Sequence, residues 1–256
     1  MDLFKQNILV AGYGLPAEMA ISTLFSLGVL PEQISVLTHE NDSRNSGLHA
    51  LCDLRNIRKN TESAKSVDTL EWVKIQRPDI ILSIHYRNII PKALLDLASL
   101  GGVNLHPSLL PKYKGAHSVS WSLINEDEFT GFTYHYMDET LDTGNILFQE
   151  SIKIEDSDTS FSLFHKQILQ ALQKLPLVLQ MVLGGDKGYA QEGEGSYFNR
   201  DLPYDGKINR EWSESKIDRF IRAMFFPPFA PAKLDLDGEE YYFRTITEYK
   251  SKTKTL

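Results

Sequence analysis

The sequence predicts an α/β fold: a Rossmann-like, mostly parallel sheet covered by helices, followed by a small C-terminal subdomain of one helix and a β-hairpin. Three observations carry this. Short β-type runs at residues 7–10, 34–37 and 79–84 alternate with stretches whose apolar residues recur at helical spacing, the order that builds parallel sheets from strand-helix-strand units. The run DIILSI at 79–84 is apolar almost throughout, as suits a strand buried on both faces. From Gln191 onward Gly, Asn, Asp and Pro become frequent, and a fresh helical pattern follows this linker. Residues 1–190 are therefore read as one domain and residues 191–256 as a small second one.

A chain of 256 residues, 42% of them hydrophobic, is long enough for one large core plus an appendage. Its formal net charge of -7 argues against a surface that grips nucleic acid through phosphates, which needs clustered Lys and Arg. The lone cysteine, Cys52, can form no intramolecular disulfide. No basic leader with an apolar core opens the chain, and no apolar run reaches membrane-spanning length, so a cytoplasmic location away from membranes is expected. The sequence contains no HExxH, CxxC or ligand cluster at metal spacing, and no metal site is assigned.

The first strand, 7–10, empties into AGYGLPAEMAISTLF, where Pro16 and periodic apolar residues start a helix. Gly12, Gly14 and Ala17 satisfy the loose dinucleotide fingerprint, with Glu40 somewhat beyond the place of its ribose-binding acid. That would support a nicotinamide-dependent oxidoreductase. Glycines that let a strand pack close to its helix explain the same letters. Residues 41–47 are polar and turn-rich, read as a mobile loop. A helix over 66–76, the strand 79–84, RNIIP at 87–91 and a helix over 92–98 lead to the strand ending at His106. Beyond lie a helix at 119–125, strands at 129–137 and 145–154, and a long helix after Asp158. Phe161, Phe164, Ile168, Leu172 and Leu175 share one of its faces, with a kink at Pro176 and an end at Gly184 and Gly185. A last helix over 213–224 turns Ile217, Phe220, Ile221 and Met224 inward, and residues 232–237 pair with 240–248 across Asp237-Gly238.

Chemistry concentrates in GGVNLHPSLLPKYKG, residues 101–115, and LDTGNIL, residues 141–147. In an extended strand Asn104 and His106 point to one face, and Pro107 and Pro111 keep the following loop out of a helix. An amide, an imidazole and the carboxylate of Asp142 would supply an oxyanion donor, a base and its orienter without a nucleophilic Ser or Cys. His135, on the strand at 129–137, either lines the site beside His106 or packs against it.

NLHPSLLPKYKG followed by DETLDTGNIL resembles the signature of the 10-formyltetrahydrofolate-dependent formyltransferases, which include glycinamide ribonucleotide, methionyl-tRNA and sugar-nucleotide formyltransferases. Weaker similarity runs over residues 79–231. The resemblance implies catalysis by Asn104, His106 and Asp142. It implies a 10-formyltetrahydrofolate co-substrate held at Asn88, Ile89 and Ile90 and by the loop of Asp138, Glu139, Thr140, Leu141 and Asp142. It places the acceptor near Lys114, Gly115 and His117, with Tyr86 or Arg87 opposite; read alone, Arg87, Lys114 and His117 are ordinary solvated residues. Asn104 would donate to the formyl oxygen, while His106, or Asp142 through water, accepts the amine proton.

KINREWSESKIDRFIRAMFFPP at 207–228 resembles the region after the catalytic domain of methionyl-tRNA and sugar-nucleotide members, which disfavours glycinamide ribonucleotide. The short, charge-balanced C-terminal part disfavours tRNA. The acceptor expected is a nucleotide sugar, specifically a deoxythymidine-diphosphate-linked 4-amino-4,6-dideoxyhexose, because Ala116 stands where an arabinose-modifying relative has Arg. A methionyl-tRNA-type enzyme and a non-catalytic folate-binding module are the alternatives. AMFFPPFAPA at 223–232, with Tyr241, Tyr242 and Phe243 in the hairpin, is more apolar surface than a small appendage buries alone, which predicts a homodimer through this region.

Overall fold

The structure, a computed structural model, describes residues 3–253. Their elements are, in order, β1 (Ile8–Gly12), α1 (Gly14–Ser26), β2 (Ile34–Leu37), α2 (Ser46–Arg55), β3 (Arg58–Asn60), α3 (Val67–Gln76), β4 (Ile80–Ile84), α4 (Lys92–Leu95) and β5 (Gly102–His106). Then come β6 (Lys114–Gly115), α5 (Ser118–Ile124), β7 (Phe129–Tyr136), β8 (Ile146–Lys153), α6 (Ser160–Leu183), β9 (Tyr197–Phe198), α7 (Glu214–Met224), β10 (Ala232–Leu236), β11 (Glu239–Phe243) and α8 (Ile246–Thr253). The chain divides into two compact units: Met1–His106, Phe132–Gln149 and Ile168–Gly193 form the first, and Pro107–Gly131, Glu150–Gln167 and Glu194–Leu256 the second.

The first unit is organised by a seven-stranded sheet in the order β3-β2-β1-β4-β5-β7-β8. Strands β1 to β5 pair in parallel, and β7 runs antiparallel against β5. Every residue of β1, β2 and β4 is buried, which is why these strands read as nearly continuous apolar runs, broken only by Ser35 and Ser83, rather than alternating ones. Burying each large aliphatic side chain there stabilises the fold by about 1.5–3 kcal/mol. Gly12 is where β1 meets α1: a Cβ there would collide with the Cβ of Ala17, so the first glycine of the fingerprint serves close strand-helix packing.

Two segments differ from the sequence reading. The polar stretch at 41–47 leads straight into α2, and its Asn45 is fully buried. The Asn45 side chain accepts from the Gly14 N–H at 2.9 Å and donates to the His39 carbonyl at 3.0 Å. The loop is thus tied down by a buried amide whose partners all lie elsewhere in the chain. At the other end, β11 stops at Phe243 and α8 replaces the rest of the expected strand. Thr245 Oγ1 accepts from the Glu248 N–H while Glu248 Oε2 accepts from the Arg244 N–H, a reciprocal arrangement that starts a helix.

In the second unit, α7 begins at Ser213, whose hydroxyl accepts from the Lys216 N–H, a cap worth about 1 kcal/mol. Its buried residues include Ile217, Phe220, Ile221 and Met224, the four predicted to face inward. The hairpin of β10 and β11 turns on Asp237 and Gly238, with φ of +53° and +84°, the backbone that favours an Asp-Gly pair.

Candidate active site

β5 carries the site. On one side it pairs with β4, and on the other β7 sets His135 opposite Asn104 and Thr133 opposite His106. Cross-strand partners share a face of the sheet, so alternation brings Asn104, His106, Thr133 and His135 to one surface. Asp142 arrives from the loop between β7 and β8 with φ of +56°, a left-handed backbone costing a non-glycine residue about 1 kcal/mol or more unless its surroundings hold it. They do so in three ways. Gln191 Nε2 donates to the carbonyls of Asp142 and Gly144, each at 2.9 Å. Asp138 Oδ1 accepts from the Thr140 N–H and the Thr143 hydroxyl, both at 2.9 Å. Gly144 lies so close to the Tyr136 carbonyl that a Cβ would strike it.

The three expected catalytic side chains come together. Asp142 stands between two imidazoles, with Oδ2 3.5 Å from His106 Nδ1 and Oδ1 3.5 Å from His135 Nε2. Asn104 Nδ2 lies 3.1 Å from His135 Nε2 and 3.4 Å from Asp142 Oδ1. His106, His135 and Asp142 are all buried. At 3.5 Å the carboxylate acts on His106 mainly as a charge rather than through a closed hydrogen bond, well placed to stabilise positive charge that develops on the ring. Among the described residues no group of acidic, His or Cys side chains could hold a metal ion.

Of the other residues singled out, Asn88 and Ile89 are exposed after β4, whereas Ile90 is buried in the core with Leu9 and Leu94. Asp138, Glu139, Thr140 and Leu141 are exposed on their loop. Tyr86 stacks on His39 with ring centroids 4.8 Å apart, and the Arg87 guanidinium lies 5.0 Å from the Tyr13 ring. Arg44 lies over the same ring at 5.5 Å, and the Tyr13 hydroxyl donates to Asp42 at 2.7 Å. Burial pushes the Tyr13 hydroxyl's pKa up, and Asp42 adds to the rise. These aromatic and guanidinium groups follow the carboxyl ends of β1, β2 and β4, where the strand order reverses beside β1, the usual crevice for a ligand in an open α/β sheet.

Lys114, Gly115 and His117 belong to the second unit. Lys114 and Gly115 pair as β6 with β9, and a Cβ on Gly115 would strike the Phe198 carbonyl. His117 Nε2 lies 3.2 Å from the Arg200 carbonyl. Sequence reasoning missed Tyr13, His39, Arg44 and Gln191. The first three were findable because each follows a predicted strand, while Gln191, at the start of an apparent linker, bore no signal.

With Asn104 and His106 at the end of the fifth strand of a Rossmann-like sheet and Asp142 beside them from the loop after β7, the chain belongs to the formyl transferase family, whose model matches residues 28–179. The GDP-perosamine N-formyltransferase of Brucella melitensis biotype 1 is 53% identical over 245 residues, 96% of this chain and 95% of that protein. A sugar N-formyltransferase from a Shewanella species shares the fold with a TM-score of 0.77 at 22% identity, over 93% of this chain and 96% of its own. So does the N-formyltransferase of Helicobacter canadensis, solved with folinic acid and dTDP-3-aminofucose, with a TM-score of 0.76 at 23% identity over 91% and 85% of the two chains.

Proposed function

We propose that this enzyme moves the formyl group of 10-formyltetrahydrofolate to the amine of a nucleotide-linked 4-amino-4,6-dideoxyhexose, with GDP-perosamine the favoured acceptor. The observation that carries the reading is the convergence of Asn104, His106 and Asp142 in one largely buried group. The similarity to the Brucella enzyme spans nearly the whole chain, and it moves the base from the deoxythymidine expected above to guanosine.

The residues fit this chemistry. When the amine attacks, electron density shifts onto the formyl oxygen, where an Asn104 N–H can donate, and positive charge grows on the amine nitrogen. His106, or Asp142 through water, takes the proton from the amine, and a proton returns to the folate nitrogen as its bond to the formyl carbon breaks. Gln191 Oε1 is buried and has no hydrogen-bond partner, and exposed Ile89 and Leu141 present apolar surface at the two loops assigned to the pterin. A pterin, flat and edged with N–H donors, suits such a lining. Arg44 and Arg87 around Tyr13 suit the diphosphate and base of a nucleotide, by charge-assisted hydrogen bonds and stacking, with Tyr86 on the same crevice and Lys114, Gly115 and His117 proposed at the sugar end.

The test supplies the protein and 10-formyltetrahydrofolate with GDP-perosamine, a dTDP-4-amino-4,6-dideoxy sugar and methionyl-tRNA in parallel, and follows formyl mass gain. Formylation of GDP-perosamine at the highest kcat/KM is the expected result. Preference for the dTDP sugar would correct only the base, and formylation of methionyl-tRNA alone would overturn the acceptor class.

A further inference from the structure

His135 is 2% exposed, and its polar neighbours are the Tyr136 carbonyl at Nδ1 and, at Nε2, the Asn104 amide and Asp142 Oδ1 at 3.5 Å. Nδ1 lies 2.8 Å from the carbonyl oxygen of Tyr136. A carbonyl only accepts, so Nδ1 carries hydrogen. Nε2 faces Asn104 Nδ2 at 3.1 Å, and an amide nitrogen only donates, so with the amide in this orientation Nε2 is bare and the ring neutral, Asp142 Oδ1 at 3.5 Å being beyond a closed hydrogen bond. Turning the Asn104 amide over would demand a proton on Nε2 and would set the amide oxygen against Asp142 Oδ1, which lies 3.4 Å from the amide nitrogen. That arrangement sets acceptor on acceptor beside the buried carboxylate, which buried groups avoid. The Tyr136 carbonyl thus sets the tautomer of His135, and His135 together with Asp142 sets the orientation of Asn104.

We propose that His135 is a positioning residue for formyl transfer. As the neutral Nδ1–H tautomer it accepts one N–H of the Asn104 amide; the second N–H, held only loosely at 3.4 Å from Asp142 Oδ1, is the one that turns to the formyl oxygen. It makes and breaks no bond and takes no proton in the reaction. This rests on the reading of Asn104 as donor to the formyl oxygen. It also explains why a buried histidine sits at the partner position of Asn104, where an aliphatic side chain would pack but leave Asn104 short of an acceptor.

The tautomer is read directly in the unaltered enzyme by 15N NMR of its imidazoles at neutral pH, without substrate. Nδ1 protonated and Nε2 bare is the expected result; a proton on Nε2 overturns the proposal, whatever the acceptor proves to be. Kinetics test the consequence. His135→Leu should lower kcat about tenfold or more, with KM for both substrates changed less than about threefold, because an interaction made in the transition state is lost. His135→Gln, which keeps an acceptor, should recover most of that loss. In an Asn104→Ala background, single-turnover rates should fall less than about twofold further on adding His135→Leu, since the two act as one unit. An undiminished loss in that background, or an unchanged kcat in His135→Leu, overturns the proposal. A protein that formylates no amino sugar would instead defeat the functional reading, with the NMR result still deciding the tautomer.

Discussion

Asn104 and His106 owe their position to a two-residue spacing on β5, so either can be truncated without changing the strand that presents it. Asn104→Ala and His106→Ala should each lower kcat by about a hundredfold or more, the scale for losing an oxyanion donor or an acid-base group. Far-UV circular dichroism should be unchanged, and near-normal turnover in folded variants would refute the assignment. Gln191 acts at one remove. Gln191→Leu keeps the volume but strips both donors from the Asp142 and Gly144 carbonyls, leaving the left-handed backbone of Asp142 without its brace. Turnover should drop about tenfold, and crystals of the variant should show the 138–144 loop displaced. A loop left in place with full activity would show that Asp138 and its threonines suffice.

Among elements, the start of α6 depends on one carboxylate. Asp158 Oδ2 accepts from the Glu155 N–H at 2.9 Å and from Lys166 Nζ at 2.7 Å, Oδ1 accepts from Ser162 at 2.9 Å, and its main-chain carbonyl accepts from Arg222 at 2.8 Å. Burial alone would raise the pKa of this group, but Lys166 and the N–H and O–H donors outweigh it and hold the carboxyl below its ordinary value. A depressed folded pKa means that the stabilisation is complete above the unfolded carboxyl range, near pH 4, and fades as pH falls through the folded value. Asp158→Asn should therefore cost about 1–3 kcal/mol at pH 7 and markedly less at pH 3, measured by urea denaturation at both. Equal losses at the two pH values would assign the effect to shape. The elements also show what a sequence can disclose. β1, β2 and β4 were legible because burial on both faces demands mostly apolar runs, and Asn104 with His106 on β5 because a strand has period two. α2 was not, since it begins beneath a loop held by the buried amide of Asn45, whose partners at Gly14, Thr38 and His39 are brought to it only by the fold. The start of α8 was written in Thr245 and Glu248 but lay under a pattern of aromatic residues that reads as strand.

For the whole molecule, assembly is the open property. Phe229 is 55% exposed and Tyr242 49% exposed, in the segment and hairpin from which a homodimer was expected, and we propose that both are covered by a second copy. Sedimentation at micromolar concentration should give twice the 29.1 kDa of one chain, and Phe229→Glu should shift the equilibrium to monomer. A monomer at every concentration would leave those aromatic groups to another role. The antiparallel seam between β5 and β7 has a different reach. Asn104 meets His135 only in the register observed; one step out of phase, a tyrosine would stand there instead. Catalysis is therefore a proofreader of folding: chains that zip these strands incorrectly are silent, and recovered turnover in a refolding sample counts the sheets that closed in step.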